Sequence, residues 1–238
     1  MRTAYTVFRN LYNVRKMTMK LVLASGSQRR RELLTMCGYD YEIIVSNADE
    51  TIDENDPESF VRALSFRKAK EVFDRLSAAG RRDFAVIGSD TVVAFQKDGG
   101  TKPVIIGKPK DAEDAVRILS MLSGKTHRVF TGVSVIADIP DENAAAQCSI
   151  QEKAEIQTEC SITEVTFETL SPDEITDYVN SGDPLDKAGS YGIQGPFGMF
   201  VREIRGNYFT VIGMPIPVLY KMLKKIGILP HGFYERIE

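Results

Sequence analysis

Leu21–Glu32 reads LVLASGSQRRRE. The apolar run Leu21–Ala24 has the character of a buried strand, and Ser25–Gln28 is a turn of small and polar residues. A helix is expected from about Arg29 to Cys37, with Gly38 as its left-handed cap. Strand, small-residue turn and helix together form a junction suited to anions. A helix N-terminus carries unpaired N–H groups and the positive end of a dipole, and a small-residue turn lets the backbone close around a bulky ligand. Arg29, Arg30 and Arg31 add positive charge where the helix's own electrostatics disfavours it, so an outside phosphate is the natural compensation. A solvated helix face is the plain alternative for such a run.

Outward from this junction, strands and helices alternate. Tyr41–Ser46 reads as a second strand and Asn47–Asp56 as an acidic loop. Asp56-Pro57 has N-cap and first-turn chemistry for a long helix, with Val61, Leu64, Val72 and Leu76 at helical spacing and Gly80 at its end. Phe84–Gly88 and Thr91–Phe95 are expected as strands on either side of Ser89-Asp90, with Lys97–Gly100 as a hairpin turn. Asp111 caps a helix to Leu122, Arg128–Ala137 is a strand, and Ile139–Gln151 is an unpatterned loop. Ala154–Ile162 alternates like a half-exposed strand, and its phase shifts before Val165, as at a bulge. Ser171-Pro172-Asp173-Glu174 is a capping box opening a helix to about Asn180. Beyond the glycine-rich stretch Gly182–Gly198, Met199–Ile204 and Tyr208–Ile212 are expected as a hairpin and Pro217–Ile226 as the last helix. Strands joined by hairpins and strands separated by helices both occur, so the sheet should be mixed. The expectation is an α/β fold over residues 20–227, in one or two lobes with a cleft, between an N-terminal extension (1–19) and a C-terminal tail (228–238).

Composition narrows the classes. The chain has 238 residues, 43% hydrophobic, enough for a packed core. A formal net charge of −3 argues against a general nucleic-acid binder. Three cysteines without CxxC spacing (Cys37, Cys148, Cys160) exclude a disulfide scaffold and suit a reducing, cytoplasmic setting. With His127 and His231 as the only histidines, a zinc cluster is disfavoured. Mg²⁺ or Mn²⁺ held by carboxylates and phosphate fits better. No stretch has the length of a membrane span, so no membrane partner is expected. The first thirty-one residues contain no acid and interleave Arg2, Arg9, Arg15 and Lys16 with Tyr5, Phe8, Leu11 and Tyr12. That pattern fits an amphipathic targeting segment. A plain extension, with Met17 or Met19 as the effective start, is the simpler reading.

Among candidate chemical groups Asp90 stands out, because it lies between the apolar runs Phe84–Gly88 and Val92-Val93. A carboxylate there is costly unless paired or bound to a cation. It reads either as an Asx-turn residue or as a base or metal ligand at the carboxyl edge of the sheet, where open α/β sheets place ligands. Lys108, in Gly107-Lys108-Pro109, and Lys187, in Pro184–Gly189, are either phosphate contacts or ordinary surface lysines. No Walker A loop and no G-x-S-x-G elbow occurs.

Together these segments resemble the Maf family of nucleoside triphosphate pyrophosphatases from about Lys20 to Leu223. The likeness is carried by LVLASGSQRRREL, YEIIVSNADET, VIGSDTVV, GKPKDAEDAVRILSMLSGKTHRVFTGV and DPLDKAGSYGIQG in that order. It implies an elongated mixed sheet flanked by helices with a deep cleft, similar to the inosine triphosphate pyrophosphatases. It also implies hydrolysis between the α- and β-phosphates with a divalent cation, and suggests a homodimer. Carried onto this sequence, Asp90 becomes the proton acceptor, Ser25, Ser27, Arg29 and Arg30 line the triphosphate loop, and Lys68, Lys108 and Lys187 supply cationic contacts. Glu42 becomes an acidic member of the site and, with Asp90, a metal ligand. The sequence departs from the family at Gln28, where proline is usual, and at Ser89, where alanine is common and a hydroxyl would sit beside Asp90. Arg29, Thr91 and Gln194 match the group acting on dTTP and UTP, since an amide offers a pyrimidine edge both a donor and an acceptor. A non-catalytic nucleotide-binding regulator of cell division is the alternative the resemblance allows.

Overall fold

The computed structural model describes residues 19–96, 100, 102–139 and 154–231. Along them run β1 (Lys20–Leu23), α1 (Gln28–Met36), β2 (Tyr41–Ile43), α2 (Pro57–Ala78), β3 (Phe84–Phe95), β4 (Val104–Ile106) and α3 (Ala112–Leu122). Then follow β5 (Thr126–Asp138), β6 (Ala154–Phe167), α4 (Pro172–Asn180), β7 (Val201–Arg205), α5 (Tyr208–Ile212) and α6 (Ile216–Lys225). The expected turn at Lys97–Gly100, the Ile139–Gln151 loop, the N-terminal extension and the C-terminal tail lie wholly or mostly outside the described residues.

Helix starts follow their caps. Asp56 accepts from the Ser59 N–H at 2.9 Å and Asp111 from that of Asp114 at 2.8 Å. Ser171 and Glu174 exchange the two bonds of a capping box, so N–H groups that a helix cannot satisfy internally find partners. Helix α1 differs. Its N-cap Ser27 makes no side-chain cap, and its first turn has no acid.

The sheet runs β2-β1-β3-β5-β6-β7, with β4 also on β3. Strand β1 pairs in parallel with β2 and β3, and the remaining pairs are antiparallel. The mixed α/β sheet is as the sequence predicts, but four details differ. Ser89 and Asp90 lie inside one continuous strand, because β5 pairs with β3 all the way from Ala85 to Ala94; Asp90 is therefore not an Asx-turn residue. Strand β4, three residues long, has no period to read. Strand β6 keeps unbroken register with β5, and the irregularity falls at Thr166/Phe167 against β7 rather than between Ile162 and Val165. The phase change there reflects burial of Val165 and Phe167 under α3 and α4. Tyr208–Ile212 is a helix, not a hairpin arm: the Asn207 side chain caps it by accepting from Phe209 N–H at 2.8 Å, and a capped turn outweighs weak strand propensity.

Strand β3 organises the interior. Ala85 and Ile87 pack with Leu33 and Leu34 of α1 and Leu219 and Met222 of α6. On the same face Val93 and Phe95 pack with Ile118 and Leu119 of α3 and Ile175 and Val179 of α4. Between these two cores that face carries Ser89 and Thr91, and there a cleft opens. Helix α2 covers the opposite face. Glycine sets its distance: a Cβ on Gly88 would lie 2.1 Å from the Ser65 carbonyl oxygen, and one on Gly132 would lie 2.2 Å from that of Val61. Helix backbone thus rests directly on sheet backbone. Among the described residues no helix is long and apolar enough to cross a membrane.

Candidate active site

Strand β1 ends beside Ile87 and β4 joins β3 at Val93. Residues 88–92 therefore face a notch in the sheet edge with no strand opposite among the described residues. The cleft sits over this notch. It is lined by five cations, Arg29, Arg30, Lys68, Lys108 and Lys187, against three acids, Glu50, Asp90 and Asp186. Val93, Val129, Tyr191, Ile193 and Val211 form an apolar wall, with Gln194 beside it.

Asp90 is 8% exposed and points toward α2, on the same face as Gly88. Its Oδ1 accepts from Lys68 Nζ at 2.7 Å, and the same ammonium reaches Glu50 Oε1 at 3.0 Å. Burial raises the Asp90 pKa above its ordinary value, and the nearby Lys68 and Arg30 offset this only in part. Ser89 lies on the other face. Its hydroxyl reaches the carbonyls of Gly132 and Gly213 at 3.0 and 2.9 Å rather than Asp90.

Arg30 is held on three sides: Nε donates to Gly213 O at 2.9 Å, Nη1 to Ser25 Oγ at 3.2 Å and Nη2 to Thr91 Oγ1 at 3.4 Å. Burial lowers its pKa from a value far above neutrality, so it remains a cation. Ser25 thus reaches the site through Arg30, while Ser27 lines the cleft itself. Thr131 Oγ1 donates to Thr210 O at 2.7 Å and lies 3.0 Å from Thr91 Oγ1. A hydroxyl has one proton, so Thr91 must be the donor in that second contact. Its remaining lone pairs face Arg30 and the cleft, where it acts as an acceptor.

Arg29 Nη1 donates to Asp186 Oδ2 at 3.2 Å. Lys187 Nζ donates to Asp186 Oδ1 at 2.7 Å and Asp183 Oδ1 at 2.9 Å. Burial raises the Asp186 pKa, but Lys187 and Arg29 outweigh it and hold the carboxyl below its ordinary range. Tyr191, in the apolar wall, lies 3.0 Å from His127 Nε2, and burial drives that imidazole to about 3, leaving it neutral.

Residues 20–226 match the family model described as Maf-like protein. The chain belongs to the Maf family. It is 40% identical over 217 residues to a dTTP/UTP pyrophosphatase of Agathobacter rectalis, covering 88% of this chain and 98% of that protein. It is 42% identical over 210 residues to proteins of the same description from Bacillus thuringiensis subsp. konkukian (88% and 96%) and Clostridium beijerinckii (87% and 100%). The solved structure of the Staphylococcus aureus Ham1 protein aligns at TM-score 0.46 and 15% identity over 87% of this chain and 99% of that one. That likeness is too distant to carry a conclusion.

In this Maf protein the cleft gathers Ser27, Arg29, Arg30, Lys68, Asp90, Thr91, Lys108, Lys187 and Gln194. Glu42 is not among them. It sits on the short edge strand β2, half-exposed, with Oε2 2.8 Å from Arg81 Nη2, and β1 stands between β2 and the strand β3 that faces the notch. The acid in its place is Glu50, eight residues on in the loop the sequence marks only as acidic. Its proximity to Lys68 depends on how that loop folds over α2, which no local pattern encodes. Asp186 and Asp183 were equally hidden: the DPLDK stretch shows its acids, but not that they clasp its lysine. No group of three or more His, Cys, Asp or Glu side chains fit for a metal occurs among the described residues. Glu50 and Asp90, two carboxylates joined by one ammonium, instead suit a hard cation that arrives with phosphate oxygens and keeps part of its water.

Proposed function

We propose that this Maf protein hydrolyses dTTP and UTP to the nucleoside monophosphate and pyrophosphate. The observation that carries the reading is a buried carboxylate, Asp90, on the floor of a cleft whose cations outnumber its acids. The shared description of its relatives at 40–42% identity supports it. Arg29, Arg30, Lys108 and Lys187 hold the triphosphate. A water beside the α-phosphorus gives its proton to Asp90, whose raised pKa suits a base. The new P–O bond forms as the bond from the α-phosphorus to the bridging oxygen breaks, and pyrophosphate leaves. Glu50 and Asp90 would hold Mg²⁺ or Mn²⁺, which when bound neutralises phosphate charge. The base rests on the apolar wall. Gln194 offers it a donor and an acceptor, and Thr91 offers an acceptor. Incubation with UTP and dTTP, with products resolved by anion exchange, tests the reading. Monophosphate and pyrophosphate in equal amounts are expected; orthophosphate with a diphosphate, or no turnover, would overturn it.

A further inference from the structure

Lys187 and the segment carrying Gln194 both line the cleft and are tied together behind it by one hydroxyl. Tyr178, buried on α4, donates to Asp183 Oδ2 at 2.6 Å and accepts the Gly192 N–H at 3.0 Å. The other Asp183 oxygen accepts from Lys187 Nζ at 2.9 Å. The lysine stem lies against Gly192, where a Cβ would meet Cε at 2.7 Å. We infer that Tyr178 is a positioning residue coupling the phosphate-facing Lys187 to the base-facing Gln194, so that grip on the triphosphate and choice of base both depend on its hydroxyl.

The inference rests on the proposed function and adds a residue to it. Lys187 has two carboxylate partners of unequal standing. Asp186 is 67% exposed and Asp183 34%. An incoming phosphate displaces the exposed one, while Asp183, pinned by Tyr178, keeps the ammonium in place. Without the hydroxyl the Asp183 carboxylate is free to turn, which leaves the ammonium with the Asp183 backbone carbonyl and the exposed Asp186 and loosens its placement. The Gly192 N–H also loses its acceptor, and a buried unpaired donor is expensive enough to move the backbone. Gln194 lies two residues further on. The Tyr178 ring packs on Phe197 with centroids 4.8 Å apart, a contact that phenylalanine retains, so the hydroxyl can be removed without emptying the core.

Tyr178→Phe is expected to raise KM for UTP about tenfold with kcat changed by less than about threefold, and to lower the UTP:GTP ratio of kcat/KM about three- to tenfold. Asp183→Asn leaves the tyrosine an acceptor and should raise KM for both nucleotides alike, with the ratio unchanged. Gly192→Ala pushes the lysine stem while leaving the hydroxyl intact, and should raise KM as well. A folded Tyr178→Phe with wild-type KM and ratio overturns the inference. Should that variant fail to fold, an unchanged KM in Gly192→Ala overturns it. If the wild type shows no preference for UTP over GTP, the reading of the base pocket fails instead, and the coupling is judged on KM alone.

Discussion

Asp90→Asn separates chemistry from architecture. The amide keeps the carboxylate's shape, and its oxygen can still accept from Lys68, which lies 2.7 Å from Oδ1 and retains Glu50 at 3.0 Å. Only a negative charge and a proton acceptor are lost. In the free protein that charge is a net cost, because burial raises the Asp90 pKa more than Lys68 and Arg30 lower it. When an acid's folded pKa lies above its unfolded one, stability falls as pH rises through the folded value, and the loss persists at pH 7. The variant should therefore melt at the wild-type temperature or slightly above it. Its kcat should fall by about 10²–10⁴, the usual worth of a general base, which corresponds to about 2.7–5.5 kcal/mol of barrier. Pyrophosphate release from saturating UTP measures the rate, and calorimetry at pH 7 measures the melting temperature. A folded variant keeping more than about half of wild-type kcat would refute the role given to Asp90. A large drop in Tm would refute the argument from its pKa.

The same pKa direction sets a pH profile. In kcat/KM for UTP, activity should rise with pH through an acid limb lying above the ordinary aspartate value of 3.8, and a limb at or below that value would contradict the burial argument. Arg30→Ala removes the bonds to Gly213, Ser25 and Thr91. It should raise KM for UTP about ten- to a hundredfold, from about 1.5–3 kcal/mol per charged hydrogen bond, and lower Tm, with unchanged values of both counting against the site. Gln194→Glu should erode the preference for UTP and dTTP over ATP, GTP and 7-methyl-GTP by about tenfold while phosphate chemistry continues, and equal wild-type rates on all five would sink the pyrimidine assignment. EDTA should abolish turnover without lowering Tm, since Lys68 already pairs Glu50 with Asp90 in the free protein; a fall in Tm would mean that the metal is structural.

What could be read from the residues was local. The strand–turn–helix junction at Ser25–Arg30, the capping box at Ser171 and the long α2 are set within a few residues, and each lies close to its expected place. What escaped is set by contacts distant in sequence. Asp90 reads as a break between strands because a charge in an apolar run suggests a turn, whereas β5, about forty residues on, bonds the backbone straight through it. Glu42 is proposed from its block and stands outside the cleft, while Glu50 reaches Lys68 only because the acidic loop folds back over α2. The closeness of α2 depends in turn on Gly88 and Gly132, which in sequence are two unremarkable strand glycines.

Five cations converging on one cleft would repel one another, and the way the free protein avoids this bears on how it binds. Glu50 and Asp186, 65% and 67% exposed, lie on Lys68, Arg29 and Lys187. They occupy positions that phosphate oxygens would take. Displacing an exposed carboxylate costs little, since it returns to water and such ion pairs are worth at most about 1 kcal/mol. Asp90 and Asp183, whose side chains alone are 11% and 34% exposed, are the better-buried members of the same network, fixed by Lys68 and by Tyr178. The acids of the site thus divide by exposure into those that yield to the substrate and those that stay. The cations are already in position when the triphosphate arrives, so little of its binding energy is spent on ordering side chains. Glu50, once released from Lys68, would be free to turn to the divalent cation that the proposed reaction calls for.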